Sequence, residues 1–141
     1  MKKEYEEIIN KYNGDFTRIS INEKLSEDFI REFQDKVDWF WISMFQTLSE
    51  NFIREFKDKV HWTTIIEYQT ISEELAEEFK DKIWWEWLAI NRFQSYDFMR
   101  KFQNQINWIL TSAYQTLSED FIREFQDKVN WEAISSSQTL S

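Results

Sequence analysis

The stretch "LSEDFIREFQDKV" runs from Leu25 to Val37 and returns unchanged from Leu117 to Val129. A diverged copy, "LSENFIREFKDKV", spans Leu48 to Val60. Such self-similarity makes the period the first quantity to extract. Trp39, Trp62, Trp85, Trp108 and Trp131 recur at one constant interval, with no insertion or deletion. Ser26, Ser49, Ser72, Ser95, Ser118 and Ser141 keep the same spacing, as do Phe29, Phe52, Leu75, Phe98 and Phe121. Phe33, Phe56, Phe79, Phe102 and Phe125 form a further series.

A single long helix cannot use this period. At 3.6 residues per turn, equivalent positions would rotate by roughly 140° per repeat, so the tryptophans would share no face. A heptad seam fails because the period is not a multiple of 3.5. Each unit must therefore contain a break. Ser26, followed by Glu27 and Asp28, reads as an N-cap with acids in the first turn. Phe29, Ile30, Phe33 and Val37 continue at near-helical spacing, which predicts a helix A over about 27–36. Asp38 reads as the cap of a helix B over about 39–46, with Trp39, Ile42 and Phe45 inward. Its equivalents His61, Trp84, Asn107 and Asn130 make the cap good in three of five units. Helices this short are marginal alone, so stacking must supply the stability.

The expected fold is all-α: one α-solenoid domain of about five helix-turn-helix repeats over 26–48, 49–71, 72–94, 95–117 and 118–141. Residues 1–25 form an N-terminal cap unit, in which Ile8, Ile9 and Tyr12 echo Phe29, Ile30 and Phe33. Phe16 falls one full period before Trp39. At the other end Ser137 takes the place of Phe45, Tyr68 and Tyr114, as suits a unit that no neighbour covers.

Composition agrees with helices and short connectors. The chain has 141 residues, no proline and a single glycine, Gly14, which leaves few turn residues for an all-β fold. Thirteen phenylalanines and eight tryptophans supply large rings for burial. With no cysteine, disulfides and thiolate metal sites are excluded. The N-terminal "MKKEYEEIIN" has no apolar signal-peptide core, and no apolar run reaches membrane-spanning length. A soluble, cytoplasmic protein is expected. The net charge of −9 disfavours direct binding to nucleic acid.

Units of the form "LSEDFIREFQDKVDW" resemble the short tandem repeats in proteins of large DNA viruses, phages and AT-rich bacteria. The resemblance covers residues 25–141 and implies an αα-repeat array, with no catalytic residues to carry over. It also implies a viral or phage setting, in which the natural partner is a host or defence protein.

Comparison of the units separates constant from variable positions. In helix B the tryptophan and the residue three after it (Ile42, Ile65, Leu88, Thr111, Ile134) change little. The residues one, two and five after the tryptophan change freely and lie on one helical face. That face collects Phe40, Trp41, Met44, Thr63, Thr64, Glu67, Glu86, Trp87, Ile90, Ile109 and Leu110, with Trp84 beside it. Stacked repeats align such faces into a surface, and exposed apolar patches of this kind mark interfaces. The alternative is that these rings are core.

Helix A presents the opposite character, with Glu27, Asp28, Glu32, Asp35, Glu73, Glu74, Glu77, Glu119, Asp120 and Glu124 outward. Pairs such as Glu27–Arg31 and Glu32–Lys36 are spaced to neutralise one another. A regular row of carboxylates could instead imitate nucleic-acid phosphates. The row is uneven: units 26–48, 72–94 and 118–140 carry −3, unit 49–71 carries −1 and unit 95–117 carries +1.

Catalytic signatures are missing. His61, the only histidine, sits at a cap position without His or Cys partners for a metal. The repeated serines read as caps, and no glycine-rich phosphate loop occurs. The expectation is a non-enzymatic protein without cofactor or metal. It would bind a protein partner through the variable helix B face and inhibit it by occlusion. An acidic nucleic-acid mimic that blocks a defence nuclease is the first alternative. A self-associating structural protein, forming a homodimer, is the second.

Overall fold

The computed structural model describes residues 1–92 and 94–138, so the sixth serine of the series, Ser141, lies outside it. Twelve α-helices and no strand occur among the described residues. The helices form two compact bodies, Met1–Phe79 and Lys80–Ser141. The first holds α1 (Lys3–Lys11), α2 (Phe16–Asn22), α3 (Glu27–Glu32), α4 (Trp39–Phe45), α5 (Glu50–Glu55), α6 (Trp62–Tyr68) and α7 (Glu73–Glu78). The second holds a 3-10 turn at Lys80–Lys82, then α8 (Trp85–Asn91), α9 (Tyr96–Lys101), α10 (Trp108–Tyr114), α11 (Glu119–Glu124) and α12 (Trp131–Ser137). The all-helical repeat architecture read from the period is present. The boundary between the bodies cuts through the third repeat, between its two helices.

The caps behave as their side chains dictate. Oγ of Ser26, Ser49, Ser72, Ser95 and Ser118 each accepts the backbone N–H three residues on, at 3.0–3.1 Å. Asp38, Asn107 and Asn130 cap α4, α10 and α12. His61 also caps its helix, accepting the Thr64 N–H at Nδ1, so four of the five helix B caps are made rather than three. Trp84 has no acceptor to offer and makes none. Each such cap is worth about 1 kcal/mol.

Helix A is shorter than the apolar spacing predicts, six residues in every repeat. It ends at Phe33 and its equivalents, whose φ values near −110° leave the helical region. The reason lies in the next element. The Trp39 indole N–H donates to the Gln34 carbonyl at 2.9 Å, and every repeat reproduces this bond to the carbonyl five residues back, at 2.9–3.1 Å. Carbonyls at a helix end lack intrahelical donors, and a partly buried indole needs an acceptor. One tryptophan meets both needs and fixes the turn into helix B.

Its ring then packs forward. Trp39 lies 6.2 and 5.2 Å from the rings of Phe52 and Phe56. Trp108 repeats this geometry against Phe121 and Phe125, and Trp85 against Phe98 and Phe102. In the cap unit Phe16 substitutes for the tryptophan and meets Phe33 at 5.4 Å. Tyr5 covers Phe29 edge-on at 5.0 Å and is buried, whereas Ile8 and Ile9 are only half-buried. Gly14 carries a positive φ, as does Asn13. Its N–H closes α1 onto the Ile9 carbonyl at 2.9 Å.

Two polar side chains tie successive repeats together. Oγ of Ser20 and Ser43 accepts the backbone N–H of Asp38 and His61, and Ser112 does so for Asn130, at 3.0–3.1 Å. The glutamine of the "QT" pair makes a three-point clamp. Gln46 accepts the Leu25 N–H at 2.8 Å and donates to the carbonyls of Ser20 and Glu23 at 3.1 and 2.7 Å. Gln69, Gln115 and Gln138 make the equivalent bonds one repeat later each time within their bodies. In the third repeat this position is Arg92.

The inward stripe of helix B needs one correction. Ile42 is fully buried, but Phe45 is 52% exposed and its equivalents Tyr68 and Tyr114 are 54% and 58% exposed. The buried third member is instead the residue four after the tryptophan: Ser43, Ile66, Ala89 and Ser112. Helical rotation explains this, since six residues turn about 240° and four turn about 40° from the tryptophan. Ser137 therefore replaces residues that are exposed in earlier repeats, and its polarity is no mark of a terminal unit.

Candidate functional site

Within each body the outer face of helix B carries exposed apolar side chains, although Phe40 also packs edge-on against His61 of the next repeat at 5.1 Å. In the first body Phe40 is 38% exposed and meets Trp41 edge-on at 4.9 Å. Trp41 stacks on Phe45 at 5.6 Å with ring planes 3° apart. Met44 is half-buried and lies with Phe45 and Tyr68 around a shallow groove between α4 and α6. Thr63 is exposed and Glu67 half-buried. Thr64 does not reach this face. It is buried, with its hydroxyl 2.7 Å from the His61 ring nitrogen that caps the helix.

In the second body Trp84 and Ile90 are 41% and 44% exposed, Glu86 is exposed and Trp87 half-buried. The two indoles lie 6.4 Å apart, and the Arg92 guanidinium sits over Trp87 at 5.4 Å. Ile109 is 60% exposed, Leu110 half-buried and Tyr114 exposed beside them in sequence register. Phe45, Tyr68 and Tyr114 belong to these surfaces although their spacing had placed them in the core. The helical angle was the available signal, because six residues past the tryptophan lies only about 40° from two residues past it. Neither α4 nor α10 bears a charged residue, so these surfaces offer ring faces and hydroxyls rather than charge.

The acidic residues of helix A are largely engaged within the chain. Both oxygens of Glu27 accept from Ser49, through its backbone N–H at 2.7 Å and its hydroxyl at 3.1 Å. Glu50 holds Ser72 in the same way. Asp28 pairs with Arg31 at 2.9 Å, and Arg31 reaches on to Glu55 at 3.0 Å. Asp35 pairs with Lys59, and Asp120 and Glu119 with Arg123. Glu124 takes the Arg100 guanidinium at 2.8 Å, which lowers its pKa and raises that of Arg100. Lys36 lies over the Phe16 ring at 5.8 Å instead of pairing with Glu32, which is exposed. Glu73, Glu74 and Glu77 are exposed on α7. Glu–Ser and Glu–Arg contacts that bridge repeats thus engage part of the acidic helix A face.

No group of three His, Cys, Asp or Glu side chains is placed to share a metal ion among the described residues. No helix among them is long and apolar enough to cross a membrane. Known protein families, curated proteins and solved structures contain no match to this chain.

Proposed function

We propose that this protein is a non-enzymatic binding scaffold, acting in the cytoplasm, whose outer helix B face receives a protein partner. The observation that carries the reading is the Phe40–Trp41–Phe45 cluster, in which the half-buried Trp41 ring contacts both Phe40 and Phe45, themselves exposed, on a helix with no charge. Rings held against each other are rigid, and rigid aromatic anchors supply contact area at low entropic cost. The position supports it too, since the residues at these three places differ from repeat to repeat. By the repeat's resemblance to viral and phage arrays, the partner is a host or defence protein that the scaffold blocks by occupying its surface.

The test is capture of a partner by the wild-type chain and by a Phe40→Ser, Trp41→Ser, Phe45→Ser variant with an unchanged circular dichroism spectrum. The reading expects capture to be lost in the variant and to persist in high salt. Capture that survives the substitutions, or that disappears with salt alone, would move the site to the charged helix A ridge.

A further inference from the structure

The chain covers several of its rings with its own cations. In the first body Arg31 lies over Phe52 at 5.3 Å, Lys36 over Phe16 at 5.8 Å, and Lys11 and Arg18 over Tyr12, each at 5.4 Å. Among the described residues no cation lies over Phe40, Trp41, Phe45 or Tyr68, although Phe45 and Tyr68 are 52% and 54% exposed. The second body shows what a cation does at such a place. Arg92 follows the last residue of α8 and sets its guanidinium over Trp87 at 5.4 Å. Trp87 and Arg92 are the third-repeat equivalents of Trp41 and Gln46. In the first repeat Gln46 turns inward to clamp Leu25, Ser20 and Glu23, so that position brings no cation to Trp41 and Phe45.

Charge points the same way. α4 and α6 end at Phe45 and Tyr68, and their C-caps, Gln46 and Gln69, line the groove together with those two rings. A helix C-terminus carries partial negative charge, which a basic residue in the last turn offsets. α1, α3 and α5 have such a residue in Lys11, Arg31 and Arg54, whereas α4 and α6 have none. Glu67 is the only charged residue of the two helices. Around them, residues 1–79 carry ten Lys and Arg against eighteen Asp and Glu, a net −8 of the chain's −9. The groove thus joins exposed rings to a negative potential, and no cation lines it among the described residues. We propose that the groove between Phe45 and Tyr68 takes arginine side chains from a basic segment of the partner. Arginine fits better than lysine because its planar, weakly hydrated guanidinium stacks on rings, as Arg92 does on Trp87. The assignment rests on the scaffold reading and names the chemistry of what that scaffold receives.

The probe is a fluorescein-labelled hexa-arginine peptide, titrated into the full-length protein and followed by fluorescence anisotropy, with labelled hexalysine as its control. Saturable binding is expected, about threefold or more tighter for arginine than for lysine. Phe45→Ser with Tyr68→Ser weakens hexa-arginine by about tenfold, as the loss of two cation–π contacts implies. Glu32→Gln with Glu73→Gln and Glu74→Gln removes exposed charge without touching the rings, and weakens both peptides by the same factor. The difference between wild type and the ring variant persists in high salt, whereas binding to surface acids alone is screened away. Equal affinity for the ring variant, equal affinity for the two peptides, or loss of the wild-type-to-variant difference in salt would each overturn the assignment. If hexa-arginine does not bind while the Phe40→Ser, Trp41→Ser, Phe45→Ser variant still loses its captured partner, the arginine assignment falls and the scaffold reading stands.

Discussion

Replacing Gln46 with leucine removes one side chain and strands three backbone groups. The Leu25 N–H loses its acceptor, and the Ser20 and Glu23 carbonyls lose a shared donor. Gln46 is only 4% exposed, so water cannot easily take over these roles. Buried groups left unpaired cost about 1–3 kcal/mol each, which gives about 4 kcal/mol toward the low end for three. The added apolar surface of leucine returns about 1 kcal/mol. The net expectation is a loss of about 3 kcal/mol in the first body. Gln138→Leu removes the same three bonds at a half-buried site, where solvent replaces part of them, and is expected to cost about 1 kcal/mol. Urea unfolding followed by far-UV circular dichroism gives the stability difference, and amide hydrogen exchange at Leu25 gives the local one. A Gln46→Leu protein within about 0.5 kcal/mol of wild type, with Leu25 still protected, would refute the clamp.

Three further outcomes follow from the same geometry. Gln94 stands where other repeats have leucine or isoleucine, and Thr111 where they have isoleucine or leucine; the Gln94 amide and the Thr111 hydroxyl are buried without a hydrogen-bond partner among the described residues. Gln94→Leu with Thr111→Ile is expected to stabilise the second body by about 2 kcal/mol, read as a raised thermal midpoint. Trp85→Phe keeps a ring but removes the donor to the Lys80 carbonyl, and is expected to cost about 1–2 kcal/mol by urea unfolding. Glu23 and Glu124 have folded pKa values lowered by Lys11 and Arg100, so each contributes stability above the unfolded carboxylate pKa that is lost as pH falls through the lowered folded value. Removing both pairs with Glu23→Gln and Glu124→Gln should flatten the acid limb of a pH–stability curve, leaving neutral-pH stability less affected by added salt.

How far the sequence could be read depended on whether a residue's role was periodic or geometric. The Ser26 and Asp38 series were legible as caps because their side chains leave few other uses before an apolar run. The Trp39 series was legible as invariant, yet its indole bond to the end of helix A was not, since spacing does not say which atom a ring nitrogen meets. Phe45, Tyr68 and Tyr114 misled in the other direction. Large aromatic rings suggest core, but their angle on the helix puts them outside, while the small Ser43 and Ser112 turn inward and serve as acceptors. Gln46 read only as the last residue of helix B, because a polar side chain gives no periodic hydrophobic signal. Its recurrence at Gln69, Gln115 and Gln138 was the clue to a structural bond. The acidic ridge read as paired only within each helix, because cross-repeat pairs such as Arg31–Glu55, Arg54–Glu78 and Arg100–Glu124 are invisible to i,i+4 reasoning.

The most direct test of the account is a stability scan by limited proteolysis of every single substitution in the full chain. The account predicts sensitivity that recurs with the period of the tryptophans, with maxima at the Phe29, Ile30, Trp39, Ile42 and Gln46 series. It predicts tolerance at Phe40, Phe45, Tyr68, Ile109 and Tyr114, whose polar variants should resist protease as well as wild type does. If those outer rings proved as costly to replace as Phe52 or Ile42, they would be core, and no apolar face would remain for a partner.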